Sequence, residues 1–220
     1  MSKQKIDKLF KQLSENPEFK TWKELPPNFF TDTAVLSPEE ALDLAGRLWK
    51  LKEHRFLYAA AFMLRKHPSA FTRINWKVLK PLGNLMDSWG AVDLFAYLAG
   101  PAWREGQLSD EQVLQWTQYE NRWWRRAALV CTVFLNRKAQ GGSGDTKRTL
   151  PVCERLVDDR DKMVVKALSW ALRELTKTDP KAVEKFMQKY DPRLPSLVKR
   201  EVRNKLTTGV KNPRREKNKG

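Results

Sequence analysis

The sequence predicts an all-α protein built as a helical-repeat solenoid. Apolar residues recur at helical spacing in almost every segment, and alternating β-branched runs that would predict a strand are missing. Similar alanine-rich helices begin near His54, Trp89, Arg122 and Lys162, spaced about 33 to 40 residues apart. A two-helix unit of that length, repeated along the chain, is typical of HEAT-like solenoids. An irregular helical bundle is the alternative.

Helix boundaries follow from capping residues and from the limits of the apolar stripes. The clearest start is Ser37-Pro38-Glu39-Glu40, a capping box with proline at the first helical position. The predicted helices cover residues 37–49, 54–66, 76–86, 89–99, 109–118, 122–136, 146–157, 161–176, 180–188 and 197–206. We therefore divide the chain into an N-terminal helical segment (1–36), the solenoid (37–207) and a basic disordered tail (208–220).

The amino-acid composition excludes several classes of protein and favours one kind of binding partner. Hydrophobic residues make up 41% of the 220 residues and nine are Trp, which is too apolar for a disordered chain. No apolar run reaches the ~18 residues of a membrane span, and the N-terminus lacks the apolar core of a secretion signal. We expect a cytoplasmic protein without a membrane partner. The net charge of +16 favours a polyanion such as nucleic acid.

Several kinds of catalytic site are disfavoured by the residues present. Cys131 and Cys153 are the only cysteines, and they follow no metal-binding spacing. His54 and His67 are the only histidines, so histidine metal sites and Ser-His-Asp hydrolysis are poor candidates. We therefore expect neither a metal nor another cofactor.

The first candidate site is the start of the helix at 89. Trp89 and Asp93 are four residues apart, so they share one helical face and the carboxylate lies near an aromatic ring. A carboxylate in this position also has a purely structural explanation, because an acidic residue in the first helical turn is favoured by the helix dipole.

Two further patches combine cations with tryptophan. Arg122 and Arg126 are spaced to grip neighbouring phosphates, which the planar guanidinium group binds through two hydrogen bonds. Lys166, Trp170 and Arg173 share one helical face and resemble an aromatic platform rimmed by cations, as nucleic-acid binders use. The alternatives are a solvated charged face in the first case and a Trp buried between helices in the second.

On successive inner helices of one solenoid, these patches would form a concave basic groove with two Trp faces and one carboxylate. A purine alkylated at N3 or N7 is already cationic and leaves without an acid to protonate it. Bond cleavage then develops positive charge on the deoxyribose, and a carboxylate near the sugar either stabilises this charge or orients an attacking water. Tryptophan faces attract the same cationic species.

These positions resemble the AlkD-like DNA alkylation repair family, which consists of HEAT-repeat DNA glycosylases. The stretches that carry the resemblance are 48–61, 88–93, 123–128 and 166–201. The last of them is the most specific, because it keeps both residue identity and spacing. Together they cover roughly residues 48 to 202.

The resemblance implies a role for each site residue. Asp93 matches the catalytic carboxylate, while Trp89 and Trp170 match the aromatics that contact the lesion and its sugar. Arg126 and Arg173 match the cations that hold the DNA backbone. The further cations that would support DNA binding are Arg122, Arg125 and Lys166.

The implied activity is excision of 3-methyladenine, 7-methylguanine and some bulky adducts from duplex DNA by hydrolysis of the N-glycosidic bond. In this family the damaged base is removed without being flipped into a pocket, unlike in ordinary glycosylases. We expect a monomer that is monofunctional, since no lysine is placed for a Schiff-base step. A non-catalytic protein that binds bent or branched DNA is the alternative, and a protein scaffold is the third candidate.

The chain departs from the family pattern in two places. Residues 1–36 lack the family's N-terminal Tyr-Met-Lys-like and Gly-x-x-x-Pro-x-Arg-Arg-like segments, so this part of the chain is divergent. The usual Trp-Trp-Asp is Ser88-Trp89-Gly90, which removes one aromatic residue. Both departures point to a substrate range that differs from that of other members.

Overall fold

The computed structural model describes residues 2–213, apart from the side chains of Ser2 and Trp22. Residues 214–220, most of the predicted tail, lie outside this part. Every regular element in the described residues is a helix, and the helices pack in a repeat-like arrangement, as the sequence predicts. The chain divides into two compact units, Met1–Ser109 and Asp110–Gly220.

The first unit contains seven α-helices among its described residues, with a short 3-10 turn at Trp22–Glu24. They are α1 (Ser2–Ser14), α2 (Phe29–Ala34), α3 (Pro38–Lys50), α4 (His54–Lys66), α5 (Pro68–Phe71), α6 (Trp76–Gly83) and α7 (Trp89–Arg104). The capping box at the start of α3 is confirmed: Ser37 Oγ accepts from the Glu40 amide, and Glu40 Oε2 accepts from the Ser37 amide. Trp49 is fully buried, and its Nε1 donates to Leu82 O at 3.1 Å, which joins α3 to the end of α6.

Helices α4 and α7 run side by side in the same direction. The His54 ring at the start of α4 lies against Gly90 at the start of α7. Eight residues further along α4, the Phe62 ring stacks on Tyr97 of α7 with centroids 4.5 Å apart. Both helices therefore begin at the same edge of the first unit, as equivalent helices of successive repeats do.

The second unit contains six α-helices among its described residues, with a short 3-10 turn at Lys138–Gln140. They are α8 (Asp110–Trp116), α9 (Arg122–Asn136), α10 (Thr146–Arg155), α11 (Lys162–Leu175), α12 (Pro180–Lys189) and α13 (Ser196–Thr208). Helix α9 packs extensively against α11, and α11 packs against α13. The small residues Ala127 and Ala128 are fully buried and allow the close approach of neighbouring helices.

The predicted starts of the four repeated helices are confirmed, since α4, α7, α9 and α11 begin at or next to the expected residues. The predicted end of α7 at residue 99 is wrong. Gly100-Pro101 usually ends a helix, but here α7 continues to Arg104 because Pro101, Ala102 and Trp103 are all buried in the core. Burial of this last turn offsets the hydrogen bond that Pro101 cannot donate.

Candidate active site and nucleic-acid interface

Trp89 and Asp93 share a face at the start of α7. Ser88 begins the helix, because its Oγ accepts a hydrogen bond from the Ala91 amide at 3.2 Å. Trp89 occupies the first helical position and is 59% exposed, the only exposed aromatic side chain among those that the structure describes. Asp93 follows one turn later and is half-buried. The start of α7 therefore presents an exposed indole and, one helical turn later on the same face, a half-buried carboxylate.

Gly90, the residue after Trp89, has a structural role here. A Cβ atom on Gly90 would lie 3.0 Å from His54 Cδ2 and 3.5 Å from its Nε2. Such a contact is too close for a side chain unless the imidazole moves. Gly90 therefore lets the start of α4 pack beside Trp89, an arrangement that the sequence did not reveal because the two residues are far apart in the chain.

An aromatic row continues along the contact between α4 and α7. Tyr58 stacks on Phe62 with centroids 3.8 Å apart, and Phe62 stacks on Tyr97, which lies one turn beyond Asp93. Burial, together with the neighbouring Tyr97, raises the pKa of the Tyr58 phenol. This row was not predicted from the sequence, since its signal there is only a pair of aromatics at helical spacing on α4.

In the second unit, Arg122 lies at the exposed start of α9. Its Nη1 donates to Asp161 Oδ2 at 3.3 Å, and its guanidinium lies 4.7 Å from the Trp123 ring centroid. Partial burial raises the pKa of Asp161, but hydrogen bonds from the Met163 amide and from Arg122 outweigh it, so the net shift is downward. Asp161 also caps α11 by accepting from the Met163 amide. The pair therefore aligns the starts of α9 and α11.

The other two arginines of α9 are held within the fold. Arg126 is only 5% exposed, and its Nη1 donates to Met163 O at 2.9 Å. Arg125 Nε donates to Asp159 Oδ2 at 2.7 Å, and its Nη1 donates to the carbonyl oxygens of Tyr119 and Glu120 at 2.9 and 2.6 Å. Through these contacts Arg125 and Arg126 join α9 to neighbouring parts of the second unit. The contact of either arginine with DNA stays a prediction.

The face of α11 carries Lys166, Trp170 and Arg173, as predicted. Lys166 is exposed, whereas Trp170 and Arg173 are half-buried. Arg173 Nε donates to Ser169 Oγ at 3.1 Å, and Ser169 Oγ donates to Glu201 Oε2 of α13 at 2.6 Å. Ser169 and Glu201 were not predicted from the sequence, because only the packing of α11 on α13 brings them to Arg173.

The structure thus groups the predicted residues in two sets. Trp89 and Asp93 belong to the first unit, whereas the arginines of α9 and the face of α11 belong to the second. The convergence of the two sets in one groove remains a prediction. Among residues 2–213, no group of three or more His, Cys, Asp or Glu side chains lies close enough to hold a metal ion. None of the helices in that range combines the length and apolar character needed to cross a bilayer.

Comparison with known proteins gives one clear match. A family model described as DNA alkylation repair enzyme matches residues 20–206. The match starts well before residue 48, where the resemblance seen in the sequence begins, and it includes every candidate site residue. No curated protein matches the chain.

Proposed function

Because the chain belongs to the family of DNA alkylation repair enzymes, we propose that it is a DNA glycosylase. Its substrates are positively charged alkylpurines in duplex DNA, above all 3-methyladenine and 7-methylguanine. It hydrolyses their N-glycosidic bond without flipping the base and has no lyase activity. The observation that carries this proposal is the exposed Trp89 one helical turn before the half-buried Asp93.

DNA binding is supported by the charge of the chain and by the cationic side chains of the second unit. The net charge is +16. Arg122 and Lys166 are exposed, and Arg173 lies on the same face of α11 as Lys166 and Trp170. Arginine binds phosphate through paired hydrogen bonds, and an aromatic ring beside such cations supports a sugar or a base. We assign these three cations to the DNA backbone, and the contact of the buried Arg126 with DNA stays a prediction.

The reaction needs little from the protein because the substrate is already charged. As the bond between C1′ and the purine nitrogen breaks, its electron pair leaves with the base and neutralises it. Positive charge then develops on the deoxyribose, where the Asp93 carboxylate stabilises it and orients a water molecule. Water adds its hydroxyl group to C1′ and releases a proton to solvent, so the products are an abasic site and the free base.

The two indoles bind the cationic species. Aromatic faces attract a cation by about 0.5–2 kcal/mol, more strongly where water is excluded. Trp89, which is exposed, is available to the lesion and its sugar. Trp170 supplies the second face in this proposal. Since a neutral base receives no such attraction, the arrangement selects for charged lesions.

The test is the release of 7-methylguanine and 3-methyladenine from methylated duplex DNA by wild type and by Asp93→Asn. We expect the substitution to lower the excision rate about 10²–10³-fold, because it removes the charge that stabilises the transition state. DNA affinity should be preserved or increased, since a negative charge is lost. Asp43→Asn on α3, which alters another carboxylate of the first unit, is the matched control and should excise at the wild-type rate.

Two results would contradict this proposal. Equal excision by wild type and Asp93→Asn would remove the carboxylate from the mechanism. No release by either protein, with salt-sensitive DNA binding intact, would favour the non-catalytic protein that binds bent or branched DNA.

A further inference from the structure

A buried carboxylate lies behind the basic face of α11. Glu201 of α13 is only 5% exposed, and a buried charge requires partners. Its Oε2 accepts a hydrogen bond from the fully buried Ser169 Oγ at 2.6 Å. Two cations complete its surroundings, one on each oxygen of the carboxylate. Glu201 therefore pairs with two cations and holds both of them in place.

The first cation is Arg173. Its Nε donates to Ser169 Oγ at 3.1 Å and lies 3.6 Å from Glu201 Oε2. Burial lowers the pKa of the Arg173 guanidinium, although the charges of Glu201 and Glu174 oppose this shift. Among the described residues, none accepts a hydrogen bond from its two terminal nitrogens. The Nε atom of the guanidinium is thus fixed, while its two terminal nitrogens are able to donate hydrogen bonds to a ligand.

The second cation is Lys211, which follows α13. Gly209 ends that helix in the left-handed region with φ +74°, a conformation that glycine adopts without strain. The chain then turns back, and Asn204 Nδ2 donates to Lys211 O at 3.0 Å. This places Lys211 Nζ 3.1 Å from Glu201 Oε1, with its side chain 45% exposed.

We propose that Arg173 and Lys211, both anchored on Glu201, form a two-cation site for a DNA phosphate. Glu201 neutralises only one of the two cations. Glu174, the other carboxylate whose charge acts on Arg173, is paired with Lys177 at 2.6 Å, so the site keeps a net positive charge. Lys166 and Trp170 extend along the same face of α11. Lys211 and the described residues that follow α13, 209–213, then belong to the DNA interface. This inference rests on the DNA-binding part of the proposed function.

The experiment measures binding of the full chain to a fluorescein-labelled, undamaged duplex of roughly 20 base pairs by fluorescence anisotropy at several salt concentrations. Lys211→Ala should reduce the salt slope by about 1 and weaken binding about five- to tenfold near 0.1 M salt. Lys189→Ala is the matched control, because Lys189 of α12 also pairs with a carboxylate, at 3.4 Å from Glu154 Oε1. It should leave both the slope and the affinity unchanged.

Glu201→Gln tests whether DNA binding depends on the positions of the two cations or only on the net charge of the protein. This variant keeps an acceptor for Ser169 but makes the protein more positive by one charge. If only net charge mattered, DNA binding would tighten; if Glu201 positions the two cations, binding weakens. A thermal melt followed by circular dichroism identifies any variant that is not folded, and Lys211→Ala tests the proposal independently of such a loss.

The outcomes distinguish this inference from the proposed function. Wild-type protein without salt-dependent DNA binding would overturn both. Wild-type binding combined with identical behaviour of Lys211→Ala and Lys189→Ala would overturn the two-cation site alone. Tighter binding by Glu201→Gln would likewise contradict the positioning role of Glu201.

Discussion

Arg125→Ala should destabilise the protein, because the Arg125 side chain is hydrogen-bonded within the second unit. The sequence placed Arg125 among the DNA-binding cations, yet its guanidinium makes three hydrogen bonds within the second unit, to Asp159, Tyr119 and Glu120. Each such bond contributes about 1 kcal/mol net. The Asp159 side chain is only 10% exposed and would lose its cation. We therefore expect Arg125→Ala to lower the free energy of unfolding by about 3 kcal/mol.

For a chain of this size, that loss corresponds to a melting temperature lower by roughly 6–12 °C. Chemical denaturation gives the free energy, and anisotropy at a temperature where both proteins are folded gives the DNA affinity and its salt slope. Lys166→Ala is the comparison: this exposed lysine should leave stability unchanged and reduce the salt slope by about 1. Wild-type stability in Arg125→Ala, together with a reduced salt slope, would refute the structural role and restore the direct DNA contact.

Three further substitutions test stability, each measured by chemical denaturation. Gly46→Ala within α3 should raise the unfolding free energy by about 0.5–1 kcal/mol, since nothing lies within 4 Å of the added methyl group. Gly144→Ala should lower it by about 1–3 kcal/mol, because φ is +99° and the methyl group would lie 2.8 Å from Thr178 Cβ; equal effects would contradict this reasoning. Hydrogen bonds from the Thr146 hydroxyl and the Ala182 amide lower the pKa of Asp179 below its ordinary value of 3.8. The Asp179 carboxylate therefore contributes to folding stability at neutral pH, and this contribution is lost as the pH falls through the pKa of the folded state. Asp179→Asn should be less stable than wild type near pH 7, and this difference should shrink below about pH 3.8; a difference independent of pH would refute the assignment.

Much of the fold was available from the sequence because helix starts are local. Ser37, Ser88, Asn121 and Asp161 each accept hydrogen bonds from backbone amides two or three residues later, so their effect is visible within one helical turn. The repeated alanine-rich helices follow equally from composition and spacing. The shared face of Trp89 and Asp93 is also a local feature, because residues four positions apart on a helix lie on the same side of it.

Other features depend on which helix lies opposite, and that is a property of the tertiary structure. Arg125 and Lys166 look alike as cations in the sequence, but only Arg125 meets a carboxylate and two carbonyl groups that use its donors. Glu201 meets Ser169 and Arg173 because α13 packs on α11, with about thirty residues of chain between them. The sequence by itself determined most of the helices, the spacing of the repeated ones and the chemical types on each face. Only the tertiary structure decided which charges are buried and paired, because burial depends on neighbours that are distant in the chain.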